Sequence, residues 1–521
     1  MSTHLLVLDA GTGSVRAVVF DRDGRQIGVS QEEWTHLPEA GVPGSMAFDV
    51  AGGWARVKRV IAGALKACGL TGKDIAAISS TSMREAIVLY GDDGREVWAC
   101  ANVDSRASAE VAELRTRSAD YERRFYEVSG ETFALGALPR LTWLQKHRPD
   151  LFAQVRSISM VNDWIAARMT GEITVEPTNG STNGLMDLAR RDWSDELISL
   201  AGLDRAMFPR VVEPGTAIGT VTRAAADETG LAEGTPVVAG GGDVQLGSVG
   251  LGVLDLGDAA VLGGTFWQQV VNIPPGSVDK TMRLRVNSAA VPQMNQAEAI
   301  SFFVGLTARW FRDAFCQEEI RKAAEQGRDA YELMEDLAME VPAGAHGIIP
   351  VFSDAMDFGN WYHAAPSFLN LSIDPAIANK GSMFRAIQEN AAIVAAINLA
   401  RVEEFAGVGG SGALILAGGA SKGRLWPQIV ADVTGRQIRI PRVREATALG
   451  GAAAAATGIG QFANLPEAGR TFVEWDRTVE PNPANRGVYD EARERWQVAY
   501  AAQKALVDEG VTTSMWRAPG T

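Results

Sequence analysis

The chain has 521 residues, of which 46% are hydrophobic and 21% are charged, and its formal net charge is −14. One hydrophobic core stops growing at about 250–300 residues, so this length predicts two lobes, and the ordinary composition excludes a disordered protein. The acidic balance lacks the basic footprint of a nucleic-acid-binding protein, so no nucleic acid is expected as a partner.

The cysteines and the apolar stretches bear on where the protein works. Cys68, Cys100 and Cys316 are far apart and odd in number, which favours buried free thiols in a reducing compartment over a disulfide framework or a metal site. The first apolar run, Leu5–Leu8, is too short for a signal peptide, and no later run approaches the roughly 20 residues that span a bilayer. We expect a cytoplasmic protein with no membrane partner.

The first predicted elements are three strands, Leu5–Asp9, Ser14–Asp21 and Gln26–Ser30, the last two joined by a tight-turn signal at Asp23-Gly24. They predict a meander. Apolar residues then recur at helical spacing over Trp54–Cys68. Helices, strands and turns alternate from there on, which predicts an α/β fold with a central sheet covered on its faces.

The turn between the first two strands carries chemistry. It reads D-A-G-T-G-S-V-R from Asp9 to Arg16. A glycine-rich turn exposes backbone N–H groups that can hold a phosphate chain, and a carboxylate beside it can hold hydrated Mg²⁺. It is not a Walker A loop, because no lysine follows and the next element is a strand. An ordinary tight turn is the alternative interpretation.

Two charged clusters follow predicted strands. Arg84 and Glu85 come just after the short buried strand Ile75–Ser80, and Asp104 and Arg106 follow another predicted strand. Adjacent opposite charges can hydrogen-bond successive hydroxyls of a polyol, so both clusters are candidates for contacting an acceptor molecule. Structural ion pairs are the alternative.

A glycine run ends in an aspartate at Gly240–Asp243. Three glycines allow a ligand to approach the backbone closely, and Asp243 would act as a general base that deprotonates an attacking hydroxyl. The alternative is a loop aspartate that caps a helix starting near Val244.

The second half restarts the opening pattern. Val7–Thr12 and Ala260–Thr265 each run from a strand into a Gly-Thr turn, although few residues are identical. This recurrence predicts two related lobes, residues 1–253 and 254–521, with a phosphate-binding turn in each.

The last third carries one more glycine turn, Gly418-Gly419 with Ser421, between a predicted strand and a helix that ends at Gly435. Such a turn can rest against an adenosine. The small residues of Thr447–Ala456 predict a helix that packs closely against a neighbour.

These motifs, in this order and over nearly the whole chain, resemble those of the FGGY family of carbohydrate kinases. The matches are D-x-G-T-x-x-x-R at Asp9–Arg16, G-x-x-D at Gly240–Asp243, the Gly264-Thr265 turn, G-G-x-S-x-x-x-x-W-x-Q at Gly418–Gln428, and E-x-x-A-L-G at Glu445–Gly450. The resemblance implies two actin-like (ribonuclease H-like) lobes with an ATP and substrate cleft between them.

The resemblance also implies site roles. Asp243 is the expected base, and Asp9 and Asp243 are the expected Mg²⁺ ligands. The residues expected to bind ATP are Asp9, Gly11, Thr12, Gly13, Ser14, Arg16, Gly264, Thr265, Gly418, Gly419 and Ser421. Those expected to bind the acceptor are Arg84, Glu85, Asp104, Gln245 and Trp267. For Trp267, an aromatic after a strand, a place in the core is the alternative.

One departure from the family pattern concerns the acceptor. Many members have tryptophan where this chain has Asn102, and the added amide disfavours glycerol and favours a more oxygen-rich acceptor. Stretches beyond the family motifs, such as Ser82–Tyr90 and Val261–Val271, resemble the subfamily of bacterial autoinducer-2 kinases.

Three functions remain open from the sequence. They are a kinase of autoinducer-2, which is a quorum-sensing signal, a kinase of a pentulose or pentitol such as xylulose or ribulose, and a non-catalytic nucleotide-binding scaffold. The intact motifs argue against the scaffold. A homodimer and a sugar-uptake regulatory protein are possible partners by family resemblance.

Overall fold

The computed structural model describes residues 3–408, 412–443 and 445–518, and within these ranges the strands form two large sheets and three small ones. The strands of the first half are β1 (His4–Ala10), β2 (Ser14–Asp21), β3 (Gln26–Glu33), β4 (Ile75–Ser82), β5 (Ile87–Tyr90), β6 (Glu96–Cys100), β7 (Ser157–Met160), β8 (Met186–Asp187), β9 (Asp192–Trp193), β10 (Ala217–Thr220) and β11 (Pro236–Gly242). Those of the second half are β12 (Ala259–Gly263), β13 (Trp267–Ile273), β14 (Arg285–Ser288), β15 (Asn295–Ser301), β16 (Ile349–Val351), β17 (Ser367–Leu369), β18 (Leu414–Gly418), β19 (Ile438–Pro441) and β20 (Trp475–Val479).

The helices of the first half are α1 (Val50–Cys68), α2 (Ser108–Thr116), α3 (Tyr121–Ser129), α4 (Ala137–His147), α5 (Pro149–Phe152), α6 (Val161–Thr170), α7 (Pro177–Gly180), α8 (Asp195–Ala201), α9 (Arg223–Thr229) and α10 (Asp243–Gly250). Those of the second half are α11 (Val304–Phe315), α12 (Gln317–Gln326), α13 (Ala330–Met339), α14 (Lys380–Ala406), α15 (Leu425–Thr434), α16 (Ala446–Gly458), α17 (Leu465–Phe472) and α18 (Arg486–Asp508). None of these described helices is both long and apolar enough to cross a membrane.

The first large sheet has the strand order β10-β11-β4-β1-β2-β3. Strands β1, β2 and β3 form the predicted antiparallel meander, and β1 pairs in parallel with β4 on its other side. Every residue of β4, and all but the first of β1, is buried, as expected for strands covered on both faces. The meander predicted from the sequence is confirmed.

The second large sheet, β14-β15-β13-β12-β18-β19-β20, repeats the arrangement of the first. Strand β12 pairs antiparallel with β13 and in parallel with β18, just as β1 pairs with β2 and β4. The order β3-β2-β1-β4-β11 therefore recurs as β15-β13-β12-β18-β19. The weak recurrence in the sequence reflects a repeated topology, because a Gly-Thr turn follows the central strand in both halves.

The two halves exchange helices across their boundary. Helix α16, from the second half of the chain, packs on β1, β4 and β11 of the first sheet. Helix α10, from the end of the first half, contributes Val244 to an apolar cluster with Ala260 and Val270 of the second sheet. The predicted boundary after residue 253 falls between the two sheets but not between their covering helices, and as a domain boundary it stays a prediction.

Helices α10 and α16 cross at glycines. A Cβ atom on Gly450 would lie 1.9 Å from the carbonyl oxygen of Leu246, and one on Gly250 would lie 2.0 Å from that of Ala446. Only glycine permits this approach, because any side chain there would meet the backbone of the facing helix. The predicted close packing of the small-residue helix is confirmed.

Candidate functional site

The first Gly-Thr turn, between β1 and β2, is exposed at its tip, and side chains packed beneath it hold its backbone by hydrogen bonds. The Trp34 indole N–H donates to the carbonyl oxygen of Gly11 at 2.9 Å, and the His36 ring donates to that of Thr12 at 2.8 Å. The Asn102 amide donates to the Thr12 hydroxyl at 3.0 Å. Asn102, the position at which the sequence departs from the family pattern, therefore contacts the first Gly-Thr turn directly.

A cluster of charges lies behind this turn. Asp9, at the end of β1, has its carboxylate 3.6 Å from the Arg16 guanidinium, which also contacts Glu445 of the second half at 2.9 Å. Burial raises the pKa of Asp9 to about 7 against the opposing charge of Arg16, and the charges of Asp243 and Glu445 raise it further. Two carboxylates facing one guanidinium make this a place where an additional cation would be stabilised.

Asp243 is the first residue of α10, at the edge of the cleft. One carboxylate oxygen accepts from the backbone N–H of Val244 at 2.8 Å and lies 3.7 Å from Nε of Arg84. The side chain is 38% exposed, so it can reach a ligand in the cleft. Loss of surrounding water raises its pKa to about 6, although Arg84 lowers it. Asp243 is inside the helix and Gly242 is its N-cap, so the alternative of a capping loop aspartate is wrong, and the role of Asp243 as a base stays a prediction.

Arg84 and Glu85 each pair with a residue of the second sheet. Arg84 forms a two-point ion pair with Glu298 of β15, one of its contacts being 2.9 Å long. The Glu85 carboxylate lies 2.5 Å from the Arg285 guanidinium of β14. Burial opposes ionisation of Glu85, but the charges of Arg285 and Arg84 hold its pKa below the usual range. Two reciprocal ion pairs thus join the halves beside Asp243.

The same cluster extends to Glu131. Its carboxylate contacts Arg285 and accepts from the Asn287 amide at 2.8 Å, and its second oxygen has no hydrogen-bond partner among the described residues. Burial raises the pKa of Glu131 to about 7. The sequence analysis missed Glu131, Arg285 and Glu298; β14 and β15 contain several other polar residues, so the last two did not stand out in the sequence.

The backbone of Glu85 is in the left-handed region, with φ of 62°. Its N–H donates to the Thr182 hydroxyl at 3.1 Å, and its carbonyl oxygen accepts from Arg140. A non-glycine residue in this conformation is strained, so these contacts hold the acceptor-side loop in a defined shape.

Two of the predicted acceptor residues lie elsewhere. The Asp104 carboxylate is fully buried, and its oxygens bind Arg106 at 2.9 Å and the N–H of Met46 at 2.6 Å, so it has the structural role that was the alternative. Trp267 is 1% exposed and packs on Trp426, with ring centroids 5.3 Å apart. Each of the two side chains is therefore enclosed by partners outside the Arg84 cluster.

Gln245, in contrast, lies with the acceptor-side cluster. It is buried, and its side-chain oxygen has no hydrogen-bond partner among the described residues. The position that a Cβ on Gly242 would occupy is 2.7 Å from this oxygen and 3.2 Å from Cγ of Arg84. Gln245 therefore has an unsatisfied hydrogen-bond acceptor, its side-chain oxygen, beside Arg84 and near Asp243.

The second Gly-Thr turn meets the late glycine turn. A Cβ on Gly418, which has φ of 92°, would lie 1.9 Å from the carbonyl oxygen of Gly263. The Ser421 hydroxyl donates to the carbonyl oxygen of Gly418 at 2.8 Å, and the N–H of Gly305, in α11, donates to that of Thr265 at 3.1 Å. The exposed backbone of Gly264-Thr265 therefore lies next to Gly418-Gly419.

Two cavities open from this junction. One of about 1500 Å³ lies between the halves, and Gly264, Gly418 and Glu445 contribute to its walls. The other, of about 420 Å³, extends into the second half behind Thr265. Its walls include Gly264, Thr265, Tyr331, Phe384, Gln388 and Trp426. We call it the base cavity, because it adjoins the Gly264-Thr265 turn and has aromatic side chains in its walls.

Models of two domains match the chain. The N-terminal domain of the FGGY family of carbohydrate kinases matches residues 4–250, and the C-terminal domain of that family matches residues 273–459. The chain belongs to the FGGY family of carbohydrate kinases. As an FGGY kinase it transfers phosphate from ATP to a small sugar-like substrate. The family resemblance inferred from the motifs is confirmed.

Similar FGGY kinases include curated relatives over their full length. The autoinducer-2 kinase of Klebsiella pneumoniae subsp. pneumoniae is 55% identical over 519 residues, 99% of this chain and 97% of the relative. The autoinducer-2 kinase of Salmonella typhimurium is 52% identical over 518 residues, 99% of this chain and 98% of the relative.

Solved structures of FGGY kinases share the fold. The xylulose kinase of Rhodospirillum rubrum superposes with a TM-score of 0.84 at 24% identity, over 96% of this chain and 99% of that one. The Plasmodium falciparum glycerol kinase with ADP gives 0.80 at 17% identity, over 95% and 98%. The predicted two-lobed α/β fold is confirmed.

Proposed function

We propose that this FGGY kinase phosphorylates autoinducer-2, in its linear dihydroxypentanedione form, with ATP as the donor and in the cytoplasm. The observation that carries the proposal is the 55% identity with an autoinducer-2 kinase over 99% of this chain. A fold alone would not support one acceptor over another, because the same fold serves many substrates. Identity of this extent covers the acceptor side as well as the nucleotide motifs.

The acceptor side suits a small, oxygen-rich molecule. Arg84, Glu85 and Gln245 lie together near Asp243, and the first two are held by partners from the other half. Buried polar groups with fixed orientation discriminate strongly between acceptors, since an analogue without the matching hydroxyl leaves them unpaired. We assign these three residues to acceptor binding and leave Asp104 and Trp267 out of it.

Asp243 acts as the general base in this proposal. Its carboxylate accepts the proton of the attacking hydroxyl while the hydroxyl oxygen forms a bond to the γ-phosphorus and the bond to the β–γ bridging oxygen breaks, releasing ADP. A base with a pKa of about 6 is ionised at neutral pH and still basic enough to accept a proton. Thr12 and Thr265, on the two turns, would hold the phosphates.

The residues present fit Mg²⁺. Within the described ranges, no three acidic, histidine or cysteine side chains gather into a preformed metal site. Magnesium in kinases uses one or two carboxylates together with waters and substrate phosphates, and Asp9, close enough to Asp243 for their charges to interact, fits that pattern. Bound Mg²⁺ would neutralise phosphate charge, and Asp9 would fix its position. A second copy of this chain and a sugar-uptake regulatory protein remain predicted partners.

A kinase of a pentulose such as xylulose is the second candidate, favoured by the TM-score of 0.84 with a xylulose kinase. The test measures kcat/KM of the purified protein with ATP on dihydroxypentanedione, xylulose, ribulose and glycerol. We expect dihydroxypentanedione to be preferred at least about tenfold and to gain one phosphoryl group in the mass spectrum. Preference for xylulose or ribulose would replace the proposal with the second candidate.

A further inference from the structure

The base cavity contains a buried polar side chain that the fold does not satisfy. Gln388 is 1% exposed, and its side-chain oxygen has no hydrogen-bond partner among the described residues. A buried amide oxygen without a partner destabilises the fold, so such groups persist where a ligand completes them. The Trp426 indole N–H, in the same wall, also lacks a partner among those residues.

The neighbours of Gln388 in α14 show that the helix can satisfy polar groups where they serve the fold. Glu389 contacts Arg385 at 2.9 Å and accepts from the N–H of Gly344 at 2.9 Å. The Asn390 side-chain oxygen accepts from the N–H of Phe352 at 3.0 Å. Gln388 differs from both because it lines the base cavity, with Phe384 one turn earlier on the same helix.

We propose that Gln388 determines nucleotide specificity by hydrogen-bonding the edge of the adenine base. This rests on the nucleotide site of the proposed function. The Gln388 oxygen would accept from the exocyclic amino group, and its amide nitrogen would donate to a ring nitrogen. Glutamine forms such two-point contacts with adenine because the base presents a donor and an acceptor side by side. Phe384, Trp426 and Tyr331 supply the apolar walls that enclose the ring.

Binding measurements with two diphosphates test the contact. ADP and IDP differ at the position of the amino group, which is a carbonyl oxygen in IDP and would face the Gln388 oxygen. We expect calorimetry to give at least about tenfold tighter binding of ADP by the unaltered protein. In Gln388→Met, whose side chain has nearly the same length, ADP binding should weaken about 3–10-fold and the preference should fall below about threefold. Gln326→Met, at an exposed position of α12, is the matched control.

Thermal unfolding without nucleotide separates this role from a structural one. If Gln388 only served the fold, Gln388→Met would lower the melting temperature. A ligand-directed amide that is unsatisfied in the free protein predicts an equal or higher melting temperature for the variant, together with a smaller stabilisation by ADP. Gln388→Leu serves as a second apolar variant with the same expectation.

A lower melting temperature in both apolar variants, or an unchanged ratio of ADP to IDP affinity, would overturn the assignment of Gln388. Neither result depends on the acceptor. A failure of the autoinducer-2 proposal would appear in the acceptor panel while ADP still binds, so the two failures are distinguishable.

Discussion

The charged groups of the acceptor side and the neutral amide of the base cavity are held in different ways. On the acceptor side, Arg84 and Glu85 are already paired with Glu298 and Arg285 from the other half. In the base cavity, Gln388 is buried without a partner for its oxygen among the described residues. Charges must be paired before a ligand arrives because an isolated buried charge is too costly, whereas a neutral amide can wait for its ligand. The charged pairs of the acceptor side are therefore preorganised, whereas the amide oxygens of Gln388 and, on the acceptor side, of Gln245 are left for a ligand to complete.

The largest effect on turnover should come from replacing Asp243, the proposed general base, which lies beside the ion pairs of Arg84 and Glu85. In Asp243→Asn the proton acceptor is lost while the nucleotide-binding turns are unchanged, so we expect turnover to fall by about 10²–10⁴-fold and ADP affinity to change little. Steady-state kinetics and calorimetry measure the two quantities. Asp93→Asn, an exposed position with its side chain 61% accessible, is the control. Turnover within a few-fold of the unaltered protein would remove Asp243 from its role.

The next effect tests the ion pair itself. Glu298→Gln leaves the Arg84 charge buried without its main partner, and we expect a loss of about 3–5 kcal/mol in the free energy of unfolding. We also expect the KM for the acceptor to rise while the KM for ATP stays nearly constant. The exposed pair Arg321–Glu325 provides the control, since Glu325→Gln should cost less than about 1 kcal/mol.

The double variant Arg84→Met with Glu298→Leu sharpens this result. Removing both charges should recover most of the lost stability, because apolar residues of similar volume replace a buried ion pair with little cost. The acceptor KM should stay high, since Arg84 is gone. Equal losses of stability in the single and double variants would mean that the charge pairing is not what holds the two halves together here.

A smaller effect is the position of the acid limb in the pH profile of kcat/KM. Asp243 must be ionised to accept a proton, and its raised pKa predicts that activity is lost as pH falls through about 6, and not near 4. Arg84 lowers this pKa, so Arg84→Met should move the limb to higher pH. The profile is measured with the acceptor below its KM. A limb that does not move in the variant would contradict the proximity of the two groups.

The smallest effect concerns the stability of the free protein near Asp9. Its pKa is raised to about 7 in the fold, so the folded state binds a proton more tightly than the unfolded state does. Stability from this group therefore falls as pH rises from about 4 to 7 and then levels off. Asp9→Asn should melt higher than the unaltered protein at pH 8, by about 1 °C for each kcal/mol recovered because the entropy of unfolding grows with chain length, with the difference shrinking toward pH 4. A constant difference across this range would contradict the raised pKa.

Local patterns in the sequence predicted much of the fold and the two Gly-Thr turns. The Asp9–Arg16 turn and the Gly264-Thr265 turn each follow a strand that is recognisable from its apolar run, and the family motifs predict that both turns bind phosphate. The pairing of Arg84 with Glu298 was not predictable, because it joins residues 214 positions apart, one in the loop after β4 and the other in β15. Burial of Trp267 against Trp426 depended in the same way on packing between distant elements, for which a single sequence carries no signal.

The glycine crossing of α10 and α16 has a consequence for how the chain is divided. Because α16, from the second half, covers the first sheet and packs on α10, cutting the chain after residue 253 would strip the first sheet of its alanine-rich cover. Neither fragment would then own a complete core. The division of the chain by sequence therefore differs from the division of its folded core. Fragments made at this site should need one another to remain in solution.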